Sequence, residues 1–197
     1  LTYVTPEIVA AAELEFGRPL ELSITIATAE KEIDRIRASQ RDGRAHDVTI
    51  MIRRGGMYLF IAKHFYPRSL YRAPSGAARR GETLAEAAIR EAFEETGARI
   101  KPTRYALRTK CRFQSEDDFI DWTSHVFSAD YVSGEIAPED LREIRDARFV
   151  TPAEISEFNA ILLKINTAGF RYREFITRNY FDMITGLPLA REGEYAR

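Results

Sequence analysis

The sequence predicts an α/β fold, a mixed central sheet packed between helices. Three observations predict it. Residues 47–54, DVTIMIRR, and 57–65, MYLFIAKHF, are apolar β-rich runs joined by Gly55-Gly56, the pattern of a hairpin with a two-residue primed turn. Two later segments open with Thr-x-x-Glu, Thr83 to Glu86 and Thr151 to Glu154, the capping-box mark of a helix N-terminus. Between them lie two β-rich stretches, 98–113 and 118–132, separated by an acidic loop, QSEDD. Strands interleaved with helices in this order indicate an α/β or α+β domain.

Each element has a local reason. Thr5-Pro6, then EIVAAAELEF and Gly17, reads as a helix with an N-cap, a proline at the first helical position and a terminating glycine. In LELSITIA, 20–27, Leu22, Ile24 and Ile26 alternate with polar or small residues, which predicts a strand. TAEKEIDRIRASQRDG predicts a short, charged helix ending near Gly43. After the hairpin comes a loop, 76–82, then a helix, 84–96, stopped by Gly97. The polar stretch SGEIAPEDLREIRDA is expected to be a loop with one helical turn, and RFV a short strand. Thr151-Pro152 opens another helix, and a last helix is expected over about 168–184, ending near Gly186 and Pro188.

The chain has 197 residues, 45% hydrophobic and 30% charged, enough for one cored domain with terminal additions. Its net charge of -1 gives no electrostatic reason to expect nucleic-acid or membrane binding. The single cysteine, Cys111, excludes an intramolecular disulfide and a thiolate metal cluster. No run approaches the roughly 20 apolar residues of a membrane span, and no basic region precedes the first apolar run. A cytoplasmic protein is the expectation.

The segment SGAARRGETLAEAAIREAFEETGARI, 75–100, concentrates negative charge. On a helical projection Ala85, Ala88, Ile89, Ala92, Phe93 and Thr96 share one side, and Glu91, Glu94 and Glu95 share another. Glu91 stands at i+3 and i+4 from the other two, spacings at which like charges repel by a few tenths of a kcal/mol. Arg90 can relieve Glu94, but no lysine is interleaved on that face. A solvated helix face is one reading. A divalent cation is the other, since clustered hard oxygens suit Mg²⁺ or Mn²⁺.

The preceding loop favours the cation. Gly76, five residues, Glu82, seven residues, Arg90-Glu91, then Glu94-Glu95, Gly97 and Ala98 resembles the Nudix box of the Nudix hydrolases. Its seven fixed residues are all present, a coincidence on the order of 10⁻⁸ per starting position at average residue frequencies. Ala92 and Ala98 stand where the pattern usually has larger aliphatics. The resemblance implies a Nudix α/β/α sandwich over residues 46–160. Residues 1–45 and 161–197 are then N-terminal and C-terminal additions, the former with a possible dimerisation strand in ELSITIA. It also implies a metal-dependent hydrolase of a nucleoside diphosphate linked to another moiety, using Mg²⁺ or Mn²⁺, and a homodimer. Carried over by position, Glu91 and Glu95 are metal ligands, Glu94 holds a further metal or its water, and the Ser75 carbonyl is an extra ligand. Gly76 and Gly97 shape the backbone, and Glu82 and Arg90 form a structural ion pair. Glu143, from the polar loop that also offers Glu139 and Asp140, is the preferred general base.

Upstream of the box, KHFYPRSLYRAPSG mixes cations with aromatics. Lys63, Arg68, Tyr71 and Arg72 are its candidates for substrate binding, by charge on phosphate or by stacking on a base. Phe113, Trp122 and Tyr131 are expected in the core. RAPSG has a faint likeness to the segment leading into the box in ADP-ribose and sugar-nucleotide hydrolases, which slightly favours those substrates. Alternatives are a (d)NTP pyrophosphohydrolase, a non-catalytic nucleotide sensor and a diphosphate isomerase using Cys111. The expected partner is a small nucleotide, with neither nucleic acid nor membrane.

Overall fold

The computed structural model describes residues 3–40 and 44–190. Helix α1 (Pro6–Phe16) and strand β1 (Leu20–Ala27) are followed by helix α2 (Glu30–Ser39). The hairpin is β2 (His46–Arg54) and β3 (Met57–Lys63), in register across a two-residue turn with Arg54 opposite Met57. Then come β4 (Ser75–Gly76), α3 (Leu84–Thr96), β5 (Arg99–Gln114), β6 (Phe119–Ser133), β7 (Ile144–Val150), α4 (Pro152–Ile165) and α5 (Ala168–Thr185). Both capping boxes are formed, Thr83 with Glu86 and Thr151 with Glu154. The expected end of the second helix at Gly43 lies outside the described residues; α2 itself ends at Ser39.

The strands make one mixed sheet in the order β1-β5-β6-β2-β3-β7, with β4 added against β2. β1 runs parallel to β5 and β2 parallel to β6; the other pairs are antiparallel. β1 is thus an edge strand of the chain's own sheet. One face packs on α1 and α3 through Val48, Ile50, Ile52, Ala88 and Ala92. The other packs on α2, α4 and α5 through Met51, Phe60, Ile33, Phe158 and Phe175. This is the three-layer arrangement the sequence predicts, and Cβ alternation along β2 divides it between the two cores. Among the described residues, no helix is long and apolar enough to cross a membrane.

Three details differ from expectation. RFV is only the end of a seven-residue strand, because β7 pairs with Tyr58 to Lys63 of β3. Ser75 and Gly76 are not simply loop but pair with Thr49 and Val48. The inward side of α3 comprises Leu84, Ala87, Ala88, Ala92, Glu95 and Thr96, while Ile89 is exposed. Glu95 therefore does not share an outward face with Glu91 and Glu94; at i+7 from Ala88 it falls on the buried stripe.

Candidate active site

The site is built where α3 meets β4. Glu95 is 5% exposed. Burying a carboxylate is costly unless it is paired and hydrogen-bonded, and here it is both. Its Oε2 accepts from the Ser75 backbone N–H at 2.8 Å, its Oε1 from Arg72 Nη2 at 3.4 Å, and Lys63 Nζ lies 3.9 Å from Oε1.

Arg72 is itself buried. An antiparallel bridge between Ile61 and Arg72 pins its backbone to β3. Its Nε donates to the Tyr66 hydroxyl at 3.0 Å, and its Nη1 donates to the Ala73 carbonyl at 2.6 Å and to Ser75 Oγ at 2.8 Å. Burial opposes its charge, but Tyr66 and Glu95 outweigh that and raise its pKa. Burial alone would raise the Tyr66 pKa; the cations of Arg72, Arg173 and Lys63 lower it instead.

Glu91 lies against Gly76. A Cβ at Gly76 would fall 1.9 Å from Glu91 Cδ, so the absence of a side chain makes room for this carboxylate. Burial raises the Glu91 pKa, and the charges of Glu95 and Glu94 add to the rise, while Arg90 opposes it. Arg90 donates to both Glu82 oxygens at 2.6 and 2.9 Å, to Glu91 at 2.7 Å and to Glu94 at 3.0 Å. Arg90 also donates to the Ala77 carbonyl at 2.7 Å, tying the loop to the helix. Its hydrogen bond lowers the Glu82 pKa despite partial burial. Glu94, more exposed, also accepts from Arg79 at 2.8 Å.

Gly97 stops α3 in the left-handed region at φ 74°, and a Cβ there would lie 2.4 Å from the Glu135 carbonyl oxygen. The close approach lets the loop after β6 cap the helix. The N–H groups of Glu139 and Asp140 donate to the Glu94 carbonyl at 3.0 and 3.1 Å. The same loop carries Glu143, whose Oε2 accepts from Lys63 Nζ at 2.5 Å. Lys63 therefore stands between Glu143 and Glu95.

The other candidates for substrate binding are placed as follows. Arg68 is exposed, with its carbonyl held by Arg145. Tyr71 donates to Asp146 Oδ2 at 2.5 Å under the Arg148 guanidinium, facing β7 and α4. Arg72 points inward onto Glu95. Missed from the sequence were Arg79, which pairs with Glu94, and Arg173, which donates to Ser75 Oγ at 3.1 Å. Arg79, lying inside the box loop four residues before Thr83, could have been found; Arg173, nearly a hundred residues from Ser75, left no local signal.

The donor set has the chemistry for a hard cation, with Glu91, Glu94 and Glu95 carboxylates beside a glycine that leaves space. Five carboxylates (Glu82, Glu91, Glu94, Glu95, Glu143) form ion pairs with four cations (Lys63, Arg72, Arg79, Arg90), and a fifth cation, Arg173, adjoins them at Ser75 Oγ. The carboxylates are turned toward these cations, and among the described residues no three acidic, His or Cys side chains converge on one point.

This chain belongs to the NUDIX domain family, whose model matches residues 43–174. The match runs past residue 160 into α5. The chain is similar to the NAD-capped RNA hydrolase NudC of Chromobacterium violaceum, 34% identical over 98 residues, covering 50% of this chain and 34% of that one. It is also similar to the NAD-capped RNA hydrolase NudC of Photobacterium profundum, 32% identical over 108 residues, covering 55% of this chain and 38% of the relative. The chain thus spans little more than a third of the length of these relatives. A solved NUDIX hydrolase from Nitrosomonas europaea shares the fold, with a TM-score of 0.52 and 21% identity over 74% of this chain and 75% of that one.

Proposed function

We propose that the chain is a divalent-cation-dependent hydrolase that cleaves the phosphoanhydride of a nucleoside diphosphate linked to a second moiety. The observation that carries this reading is the cluster of carboxylates around Gly76, with Glu95 held on the Ser75 N–H and Arg72. The names of its curated relatives support it, because NAD is itself a nucleoside diphosphate joined to a second nucleoside. They also bring capped RNA among the substrates to be tested, against the small-nucleotide expectation.

Glu91, Glu95 and the Ser75 carbonyl would hold the cation, Mg²⁺ or Mn²⁺, and Glu94 a second cation or its water. When bound, it supplies charge neutralisation on the diphosphate and acidification of a bound water. The chain's own groups do the rest. Arg90 gathers Glu82, Glu91 and Glu94 on one guanidinium and so fixes loop to helix. Arg72 pairs with Glu95 in a buried position. Lys63 holds Glu143 beside Glu95, placing it to take a proton from the attacking water. Pre-positioned charge of this kind carries most of phosphoryl-transfer catalysis.

Two competing readings are weaker. Cys111 is 2% exposed, and burial raises its thiol pKa well above the ordinary value, which argues against an isomerase nucleophile. A non-catalytic sensor has no use for every box carboxylate. The test is a mass-spectrometric screen with Mg²⁺ or Mn²⁺ over ADP-ribose, NADH, dinucleoside polyphosphates, nucleotide sugars, CoA, dNTPs and NAD-capped RNA. Metal-dependent cleavage of one class, abolished in Glu95→Gln, is expected. Silence across the panel in the presence of either metal would overturn the proposal.

A further inference from the structure

Two guanidinium groups meet at one hydroxyl. Arg173, on α5, donates from Nη1 to Ser75 Oγ at 3.1 Å, and Arg72 donates from Nη1 to the same oxygen at 2.8 Å. Arg72 is answered by the Glu95 carboxylate, whereas Arg173 forms no ion pair among the described residues. Burial lowers the Arg173 pKa, and the Arg72 charge lowers it further. Tyr66, Asp47 and Glu95 act in the opposite direction from a distance without reversing this. Two like charges thus share a partner, and one of them lacks an anion at contact.

A void of about 10 Å³ lies against both guanidinium groups, closed by Thr49, Ala73, Ile176 and Thr177. That is room for one particle of about the size of a water molecule. The wall says which particle. Of the five N–H groups of a guanidinium, Arg72 uses four, on Tyr66, Ala73, Ser75 and Glu95. Thr49 is 5% exposed, and its hydroxyl makes no hydrogen bond among the described residues. Thr177 donates its own proton to the Arg173 carbonyl at 2.9 Å. Ala73 and Ile176 present apolar side chains, and no carboxylate lines the void. Spare donors and positive charge therefore converge on a space for one small particle. A water molecule would take up donors but leave the charge unanswered; a monatomic anion answers both.

We propose that this void is a halide site, occupied by chloride and held by the guanidinium groups of Arg72 and Arg173 and by the Thr49 hydroxyl. Chloride is a single atom little larger than a water molecule, whereas phosphate and sulfate are excluded by volume. The ion supplies the counter-ion that Arg173 lacks and offsets its repulsion from Arg72. Chloride accordingly stabilises the packing of α5 against β4. The site stands on this cluster alone and is independent of the hydrolase reading.

The experiment follows thermal unfolding of the full chain, without divalent metal, as chloride replaces gluconate at constant ionic strength. Gluconate is too large for the void, so general screening is held fixed while the site is filled. For a Kd on the order of 10 mM, about 150 mM chloride should raise Tm by roughly 3–6 °C along a saturating curve. Bromide should act as chloride does. Arg173→Met should abolish the chloride dependence, and Thr49→Val, which removes the hydroxyl at similar volume, should weaken the halide roughly 10-fold. Crystals grown in bromide should show an anomalous peak between Arg72 and Arg173, a readout that needs no variant to fold. Equal Tm values in chloride and gluconate would overturn the proposal. So would a chloride shift that Arg173→Met retains in full, or bromide crystals with only water in the void.

Discussion

Replacing Arg72 by Met tests whether Glu95 depends on a buried counter-ion. The side chains of Arg72 and Glu95 are 3% and 7% exposed, so solvent cannot screen the charge left behind. Removing one partner of a buried pair costs about 3–5 kcal/mol, mostly the penalty of the stranded charge. Lys63, 3.9 Å from the same oxygen, and the Ser75 N–H remain, which places the expectation at the lower end. For a chain of this size, ~3 kcal/mol corresponds to a fall in Tm of roughly 6–12 °C. Met keeps most of the volume, so a cavity contributes little. Urea unfolding of wild type, Arg72→Met, Glu95→Gln and the double variant measures the coupling. Because the cost lies in the stranded carboxylate, Glu95→Gln should restore about 2 kcal/mol in the Arg72→Met background. A single-variant loss below about 1 kcal/mol, or additive effects, would refute the assignment of Arg72 as the counter-ion of Glu95.

Gly76→Ala should leave Tm nearly unchanged, because its Cβ meets the end of the flexible Glu91 side chain, yet displace that carboxylate and lower kcat by roughly 10²-fold; an active variant would show that Glu91 need not lie there. His125 predicts a pH dependence of stability. Burial, with the neighbouring His46 and Arg108, pushes its pKa down to about 3, so the native state holds it neutral while the unfolded chain protonates near pH 6.5. Its contribution is complete above pH 6.5 and is lost as pH falls from there toward 3, by ~2 kcal/mol between pH 7 and pH 5. Urea midpoints at the two pH values should show this loss reduced in His125→Gln; an equal loss in both would disprove it.

The sequence made the local features legible. Caps at Thr5, Thr83 and Thr151, the Gly55-Gly56 turn and the Gly97 stop are short-range devices, and each helix or hairpin they mark is present. The box spacing placed the carboxylates on one helix, since helix geometry follows from the sequence interval. Burial was less legible. Glu95 was expected beside Glu91 and Glu94, yet it lies inward, because helical projection does not reveal that Arg72 waits under α3 to pair with it. Arg72 was expected to face substrate for the same reason. Its inward direction follows from the bridge to Ile61, a pairing across ten intervening residues with no sequence mark. The cavity between the sheet and helices α2 and α5 was least legible. Asp47, Phe113, Trp122 and Arg173 come from β2, β5, β6 and α5, and each alone reads as an ordinary strand or helix residue.

The two residues of β4 explain how one short helix tolerates its charge. Pairing sets Ser75 opposite Thr49 and Gly76 opposite Val48. Opposed residues share a face, so Ser75 lies with Thr49 on the α5 side and Gly76 with Val48 on the α3 side. Ser75 accordingly gathers the guanidinium groups of Arg72 and Arg173, and Gly76 gives way to the Glu91 carboxylate. A cationic pole and an anionic pole thus stand one residue apart, and the Ser75 N–H anchors Glu95 between them. Had the box helix met a plain loop, its carboxylates would have had only solvent, Lys63, Arg79 and Arg90 to offset them. Fixed to β2, the same carboxylates face a positive counterpart across a single peptide. Under the proposed function, the phosphate side of a substrate meets the cations and its metal meets the glutamates, without either set having to move past the other.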